Sequence, residues 1–357
     1  MCILAAAPWV FFPRRVTVLG KEERRPNLFF TILAFLPLII FIGLRGTAGD
    51  TGTYLVAYER ISGGILDNLE NGYNCLTAIS KSLGLTSYWH LFVVCLISCL
   101  LLIKVIYKHS DSLFLTMYYF MGSTLFFWLA NGIRQFLAVC VIFSVLPALA
   151  DRKALRYFIG VAIATWIHQS ALIMLPIFFI VNNKPWTIEM LVKEMAFTFL
   201  FLIVMLVPPI TEAVFSFFGF ESYISAIKET TGGNIFNTAI ALIPSIIAYI
   251  TRAQINKDNN RIVNTCINLS FMAACLYFVA ALTSGVYIGR FHTYFSMSNI
   301  LLFPYLLKKT KFGDWQKIVI IAFLLLYLLY FIYTYVYPYS WHYFSWILNM
   351  SIPDFYW

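Results

Sequence analysis

The chain has 357 residues, of which 61% are hydrophobic and 18% aromatic, and only 11% carry charge. With a mean hydropathy of +0.80 it lies outside the range of soluble globular domains and reads as an integral membrane protein. A net charge of +9 does not point to nucleic acid, because the lysines and arginines sit in short clusters between apolar runs, as cytoplasmic loops do.

The N-terminal "MCILAAAPWVFFPRR" places its basic residues after a short apolar stretch, the reverse of a signal peptide, and is too short to span a bilayer. Residues 1–27 therefore read as a short interfacial segment or the remnant of a longer first helix. Apolar runs follow at 28–44, 88–107, 112–130, 133–150, 154–181, 190–209, 236–251, 262–283, 287–307 and 317–337. At about 20 residues per span they predict an all-α polytopic membrane protein of about 10–12 transmembrane helices, a broken or re-entrant pair included. No repeat or linker divides 28–337, which reads as a single multi-span domain, with 338–357 as an external aromatic tail. Cys2, Cys75, Cys95, Cys99, Cys140, Cys266 and Cys275 show neither CxxC nor Cys/His ligand spacing, so neither a disulfide framework nor a zinc site is expected.

Basic residues set the orientation. Arg14, Arg15, Lys21, Arg24 and Arg25 put the start of the chain inside, and alternation then puts Lys104, Lys108, Arg152, Lys153 and Arg156 inside as well. The run 154–181 upsets this parity if it crosses once. "TWIHQS" interrupts it with polar groups, and a turn near His168 restores the agreement. All but six of the 25 Lys and Arg residues then lie inside; Arg45, Arg60, Lys81, Arg134, Lys228 and Arg290 stay outside.

Four stretches on that outer side could carry chemistry. "GLRGTAGDTGTY" combines Arg45, Asp50 and Tyr54 with three glycines that permit the tight turns of an anion-binding loop. "NGIRQFLA" sets Arg134 and Gln135 in an otherwise apolar helix, where a cation has a cost and a snorkelling glutamine gains nothing. His168 supplies an imidazole able to act as a base near neutral pH. "GVYIGRFHTYF" places Arg290 and Tyr294 at i,i+4 on one helical face. His90, His109 and His342 read as interfacial. Three arginines on one face suit an anionic ligand, and the planar guanidinium fork matches a phosphate or diphosphate. No Walker A motif, dinucleotide fingerprint, HExxH, GxSxG or DxD is present, so no nucleotide, organic cofactor or metal is expected.

"LRGTAGDTGTY", "NGIRQFLA", "DRKALRYF" followed by "AIATWIHQSALIMLP", and "GRFHTYFSMSNILLFPYLL" resemble, in order and rough spacing, the EpsG-like branch of the Wzy polysaccharide polymerases. The resemblance implies a GT-C-like glycosyltransferase of the bacterial plasma (inner) membrane. It implies inverting joining of undecaprenyl-diphosphate-linked oligosaccharide repeats at the external or periplasmic side. The resemblance would place Arg45, Asp50, Arg134, Gln135, His168 and Arg290 in or around the site; the chemistry of the residues then suggests His168 or Asp50 as base, Arg45, Arg134 and Arg290 for the diphosphate, and Gln135, Tyr54 and Tyr294 as substrate contacts. Membrane lipids and a chain-length-regulating membrane protein would be the partners. A glycan ligase using the same carrier would share these arginines. A lipid-linked glycan or anion transporter would line a path open to both faces in turn, whereas these candidates gather on one.

Overall fold

The computed structural model describes residues 1–18, 21–62, 70–181, 184–217, 224, 232–285, 288–336 and, toward the C-terminus, 344, 345, 347, 350 and 351. Lys228, His342 and most of the aromatic tail lie outside the described residues. The chain is an all-α polytopic membrane protein; among the described residues the strands are confined to an N-terminal hairpin (Arg14–Val18 with Lys21–Arg25) and to the short pieces Arg45–Thr47, Phe344–Ser345 and Met350–Ser351. Two compact units are formed, one of Met1–Val145, Phe158–Leu172 and Phe303–Trp357, the other of Leu146–Tyr157 and Ile173–Leu302.

Among the described residues three helices are long and apolar enough to cross a bilayer: Ser87–His109, Arg261–Leu282 and Gly313–Thr334. Two bent helix pairs are long and apolar enough only when taken together, as broken spans or re-entrant loops: Ile188–Leu206 with Pro208–Phe217 at 100° and Ile235–Ile250 with Arg252–Asp258 at 71°. Side-chain oxygens fix several starts: Asn27, Thr187, Asn234 and Asn260 each accept from a backbone N–H in the first turn they precede.

Several runs expected as single spans are broken. The run 112–130 becomes Leu113–Gly122 and a 3-10 helix Leu125–Leu129, separated at Thr124, whose φ of +74° is left-handed. The run 154–181 stops at Ile167 and resumes as the 3-10 helix Gln169–Met174, so the regular helix is interrupted at His168. Irregular backbone at membrane depth survives only where protein or an aqueous cavity covers it. Accordingly, Leu113, Met117 and Phe120 of the first broken run are fully buried. The uninterrupted Gly313–Thr334, by contrast, has only 11% of its most apolar window buried.

In the first unit Leu28–Gly43, Ser87–His109 and Ile133–Ser144 pack side by side, and Tyr54, Tyr73, Leu91, Val94, Ile133 and Leu137 form a core beneath their ends. The second unit pairs Ile235–Ile250 with Arg261–Leu282, joined by a Ser245 to Ser270 hydrogen bond of 3.1 Å. Met205, Phe215, Val279, Ala280 and Ile288 form its core cluster.

Candidate functional site

The loop after Leu28–Gly43 is built inward. Arg45 is fully enclosed, its Nε donating to Thr51 Oγ1 at 2.8 Å and an Nη to the Ile42 carbonyl at 2.6 Å. Ser345 Oγ closes the same turn on the Leu44 carbonyl at 2.7 Å. The guanidinium expected to face a ligand is thus the internal support of its own loop.

Gly49 adopts φ +52°, and a Cβ there would stand 2.9 Å from the Ala130 carbonyl oxygen, so this glycine lets the loop lie directly on the turn before Ile133–Ser144. At that contact Asp50 Oδ2 accepts the Gly132 N–H at 3.0 Å. Gly132, at φ +59°, is the left-handed residue from which the helix bearing Arg134 and Gln135 departs. A carboxylate beside the first turn of a helix also complements its dipole. Asp50 therefore fixes the direction in which Arg134 leaves the backbone.

Arg134 ends on Glu70, which immediately precedes the helix Asn71–Ser82. One carboxylate oxygen of Glu70 takes an Arg134 Nη, and the other stands 3.1 Å from His168 Nδ1. The approach depends on Gly72, where a Cβ would meet the Trp166 carbonyl oxygen at 2.5 Å. The two chain segments could not close to this separation around any larger residue. The three side chains are 20% (Arg134), 12% (His168) and 11% (Glu70) exposed, so the cluster is shielded yet reachable.

A proton on Nδ1 would be held by the nearer Glu70 carboxylate and leave Nε2 as the acceptor nitrogen of that tautomer. The Ser170 amide and hydroxyl, both 3.4 Å from Nδ1, are the more distant neighbours. The Arg134 guanidinium also lies 5.9 Å from the Tyr54 ring centre and 6.0 Å from that of Tyr73, at the outer edge of cation–π range.

Behind this layer the Tyr73 hydroxyl meets His90 Nε2 at 3.2 Å, and Ser80 Oγ meets His90 Nδ1 at 2.9 Å. Burial, reinforced by Tyr54, raises the Tyr73 phenol above its ordinary range and keeps it neutral, against the opposing pull of Arg134. His90, expected at the interface, is instead buried among these hydroxyls. A single ring with two nitrogens to satisfy explains why Tyr73, Thr77 and Ser80 converge on it.

The structure thus unites Arg134, His168 and Tyr54 in one cluster, with Asp50 anchoring it. Gln135 is buried beside Arg134 in the same helical turn. Arg290 and Tyr294 belong to the second unit. There the helix expected to carry both is divided: Arg290 ends the 3-10 helix Ile288–Arg290, its carbonyl accepting from Thr293 Oγ1 at 2.7 Å. Tyr294 lies in the separate helix His292–Ser296 and is buried. The i,i+4 spacing thus runs across two short helical pieces and not along one continuous helix. Glu70 and Tyr73 escaped the sequence reading, although Glu70 is an acid placed on the outer side by the same topology, two residues before a glycine.

No curated protein and no solved structure matches the chain. The model of the EpsG family matches residues 28–347, a span that includes Asp50, Glu70, Arg134 and His168, and the chain belongs to the EpsG family.

Proposed function

We propose that this EpsG-family chain is a membrane glycosyltransferase that polymerises undecaprenyl-diphosphate-linked oligosaccharide repeats at the outer face of the bacterial plasma membrane. The observation that carries the reading is the Glu70 carboxylate bridging Arg134 and His168, which supplies an oriented base and a fixed cation a few ångströms apart. A sugar hydroxyl of one repeat attacks the anomeric carbon of the next. The new C–O bond forms as the bond to the diphosphate oxygen breaks, the hydroxyl proton passes to His168 Nε2, and the diphosphate leaves with the bonding electrons.

Glu70 holds Nδ1–H and stabilises the imidazolium that results. Arg134, held by Glu70, places a fixed cation beside His168, and a preorganised cation near the leaving group favours the transition state over the ground state. Asp50, engaged with Gly132, acts as anchor and not as base. Arg45, enclosed in its loop, acts as scaffold. Arg290 enters as a diphosphate ligand, and Gln135 and Tyr294 as sugar contacts, on the sequence argument alone. The GT-C-like fold, inversion at the anomeric carbon and partnership with a chain-length-regulating membrane protein belong to the same reading.

Purified protein incubated with a defined undecaprenyl-diphosphate oligosaccharide should give a ladder of products spaced by one repeat. A single transfer would identify a ligase and no transfer a transporter, and either outcome removes the polymerase reading.

A further inference from the structure

The N-terminal hairpin has two faces of different character. Its register pairs Arg14 with Arg25, Arg15 with Arg24, Val16 with Glu23 and Thr17 with Glu22. Side chains alternate along a strand, so Arg14, Val16, Glu23 and Arg25 share one face and Arg15, Thr17, Glu22 and Arg24 the other. The first face is turned into the protein: Arg14 donates to the Tyr107 carbonyl at 3.2 Å, and Arg25 donates to the His109 carbonyl at 2.6 Å and faces Asp111 at 3.2 Å. The second face is exposed at all four positions.

On that outer face two arginines stand directly opposite each other. Like charges opposed across an antiparallel pair repel, and neither Arg15 nor Arg24 has an ion-pair partner among the described residues. Glu22 shares the face and leaves it net positive. The inner clamp prevents the hairpin from relieving the repulsion by shifting register. Directly beside it Phe12 stacks on Phe30 at 5.7 Å, and Phe11, Phe12, Leu28, Phe29, Ile32 and Leu36 are exposed. The last four form an apolar strip along Leu28–Gly43, the surface expected against acyl chains, so the hairpin at its end stands at headgroup level.

We propose that Arg15 and Arg24 form a clamp for the phosphate of an anionic phospholipid, whose acyl chains lie on the exposed strip of Leu28–Gly43. The bound phosphate neutralises the opposed pair, and the phenylalanines fix the depth of the hairpin at the membrane surface. On the positive-inside assignment this is the cytoplasmic leaflet, and the proposal stands independently of the glycosyltransferase reading.

The test is a titration of the detergent-purified full-length protein with short-chain phosphatidylglycerol, short-chain phosphatidylcholine and inorganic phosphate, read as the shift in Tm. Phosphatidylglycerol alone should give a saturable rise. Converting Arg15→Gln and Arg24→Gln together should weaken its apparent affinity about ten- to thirtyfold. Converting Arg15→Lys and Arg24→Lys should keep most of the response, as should the charge-matched Lys153→Gln and Lys257→Gln pair. An equal rise with phosphatidylcholine or with inorganic phosphate would overturn the anionic-headgroup assignment. An undiminished phosphatidylglycerol response in the double glutamine variant would overturn the clamp.

Discussion

The first unit contains two ion clusters that look alike on paper and differ in what surrounds them. Arg134, Glu70 and His168 meet with side chains 11–20% exposed, whereas Arg25 and Asp111 meet at 6% each, with Glu23 and Lys309 closing over them. In the second cluster main-chain carbonyls take up further donors: His109 accepts from Arg25, and the Asp111 carbonyl accepts from Lys308 at 2.7 Å. A buried cation shared between a backbone carbonyl and two carboxylates ties chain segments together. The Arg134 cluster instead brings an imidazole and a cation onto one carboxylate at a place that stays partly exposed, which is what a reacting group requires.

The largest effects should separate the two. His168→Ala should lower the rate of repeat addition about 10²- to 10⁴-fold while the protein keeps its amount in the membrane and its Tm. Glu70→Gln should fall on the same side, since it leaves the ring in place but removes the charge that selects its tautomer. Product ladders from equal amounts of folded protein measure both. A His168→Ala variant with the wild-type rate would end its role as base. Arg25→Ala should do the opposite: removing one partner of a buried pair costs about 3–5 kcal/mol, read as lower Tm or lost expression, with the rate per folded molecule preserved.

Acid should sharpen the contrast in a smaller degree. Burial raises the Glu23 carboxyl, but Lys309 and Arg25 outweigh it, and the net position is below the ordinary range. A folded-state pKa that is depressed adds stability above the unfolded value and loses it as pH falls through the folded one. Asp111 runs the other way, because burial raises it against the pull of Arg25 and Lys309. Its preference for the proton in the folded state opposes the acid loss due to Glu23. Thermal melts between pH 7 and pH 3 should therefore show a steeper decline for the native chain than for Glu23→Gln. Parallel curves would remove the assigned contribution.

The sequence made the membrane class and the break at His168 legible, each through a conflict: apolar composition against charge, and loop parity against span length. It did not make Glu70 legible, because an acid in a polar stretch between apolar runs conflicts with nothing there. Its meaning appears only when Gly72 lets the Asn71–Ser82 helix approach the Trp166 carbonyl. Helix continuity was overestimated for a related reason. Hydropathy reports which residues avoid water, and a buried broken segment such as Leu113–Leu129 is as apolar as a regular span such as Ser87–His109. The enclosure of Arg45 was not legible because Thr51 and Ile42 become its partners only through the turn that the loop makes.

Asp50 gives the finest test of the distinction between reacting and supporting groups. Its Oδ2 accepts one backbone N–H, that of Gly132, at the left-handed residue that starts the Arg134 helix. An asparagine side-chain oxygen can accept the same bond, so Asp50→Asn keeps the anchor and loses only the charge beside the helix start, worth about 0.3–1 kcal/mol. The expected consequence is a loss of a few-fold in rate with a small drop in Tm, whereas Asp50→Ala, which removes the acceptor, should do more in both. A base converted to its amide has no such graded outcome. If Asp50→Asn abolishes the ladder as completely as His168→Ala, the carboxylate takes the proton itself and the assignments of Asp50 and His168 must be exchanged.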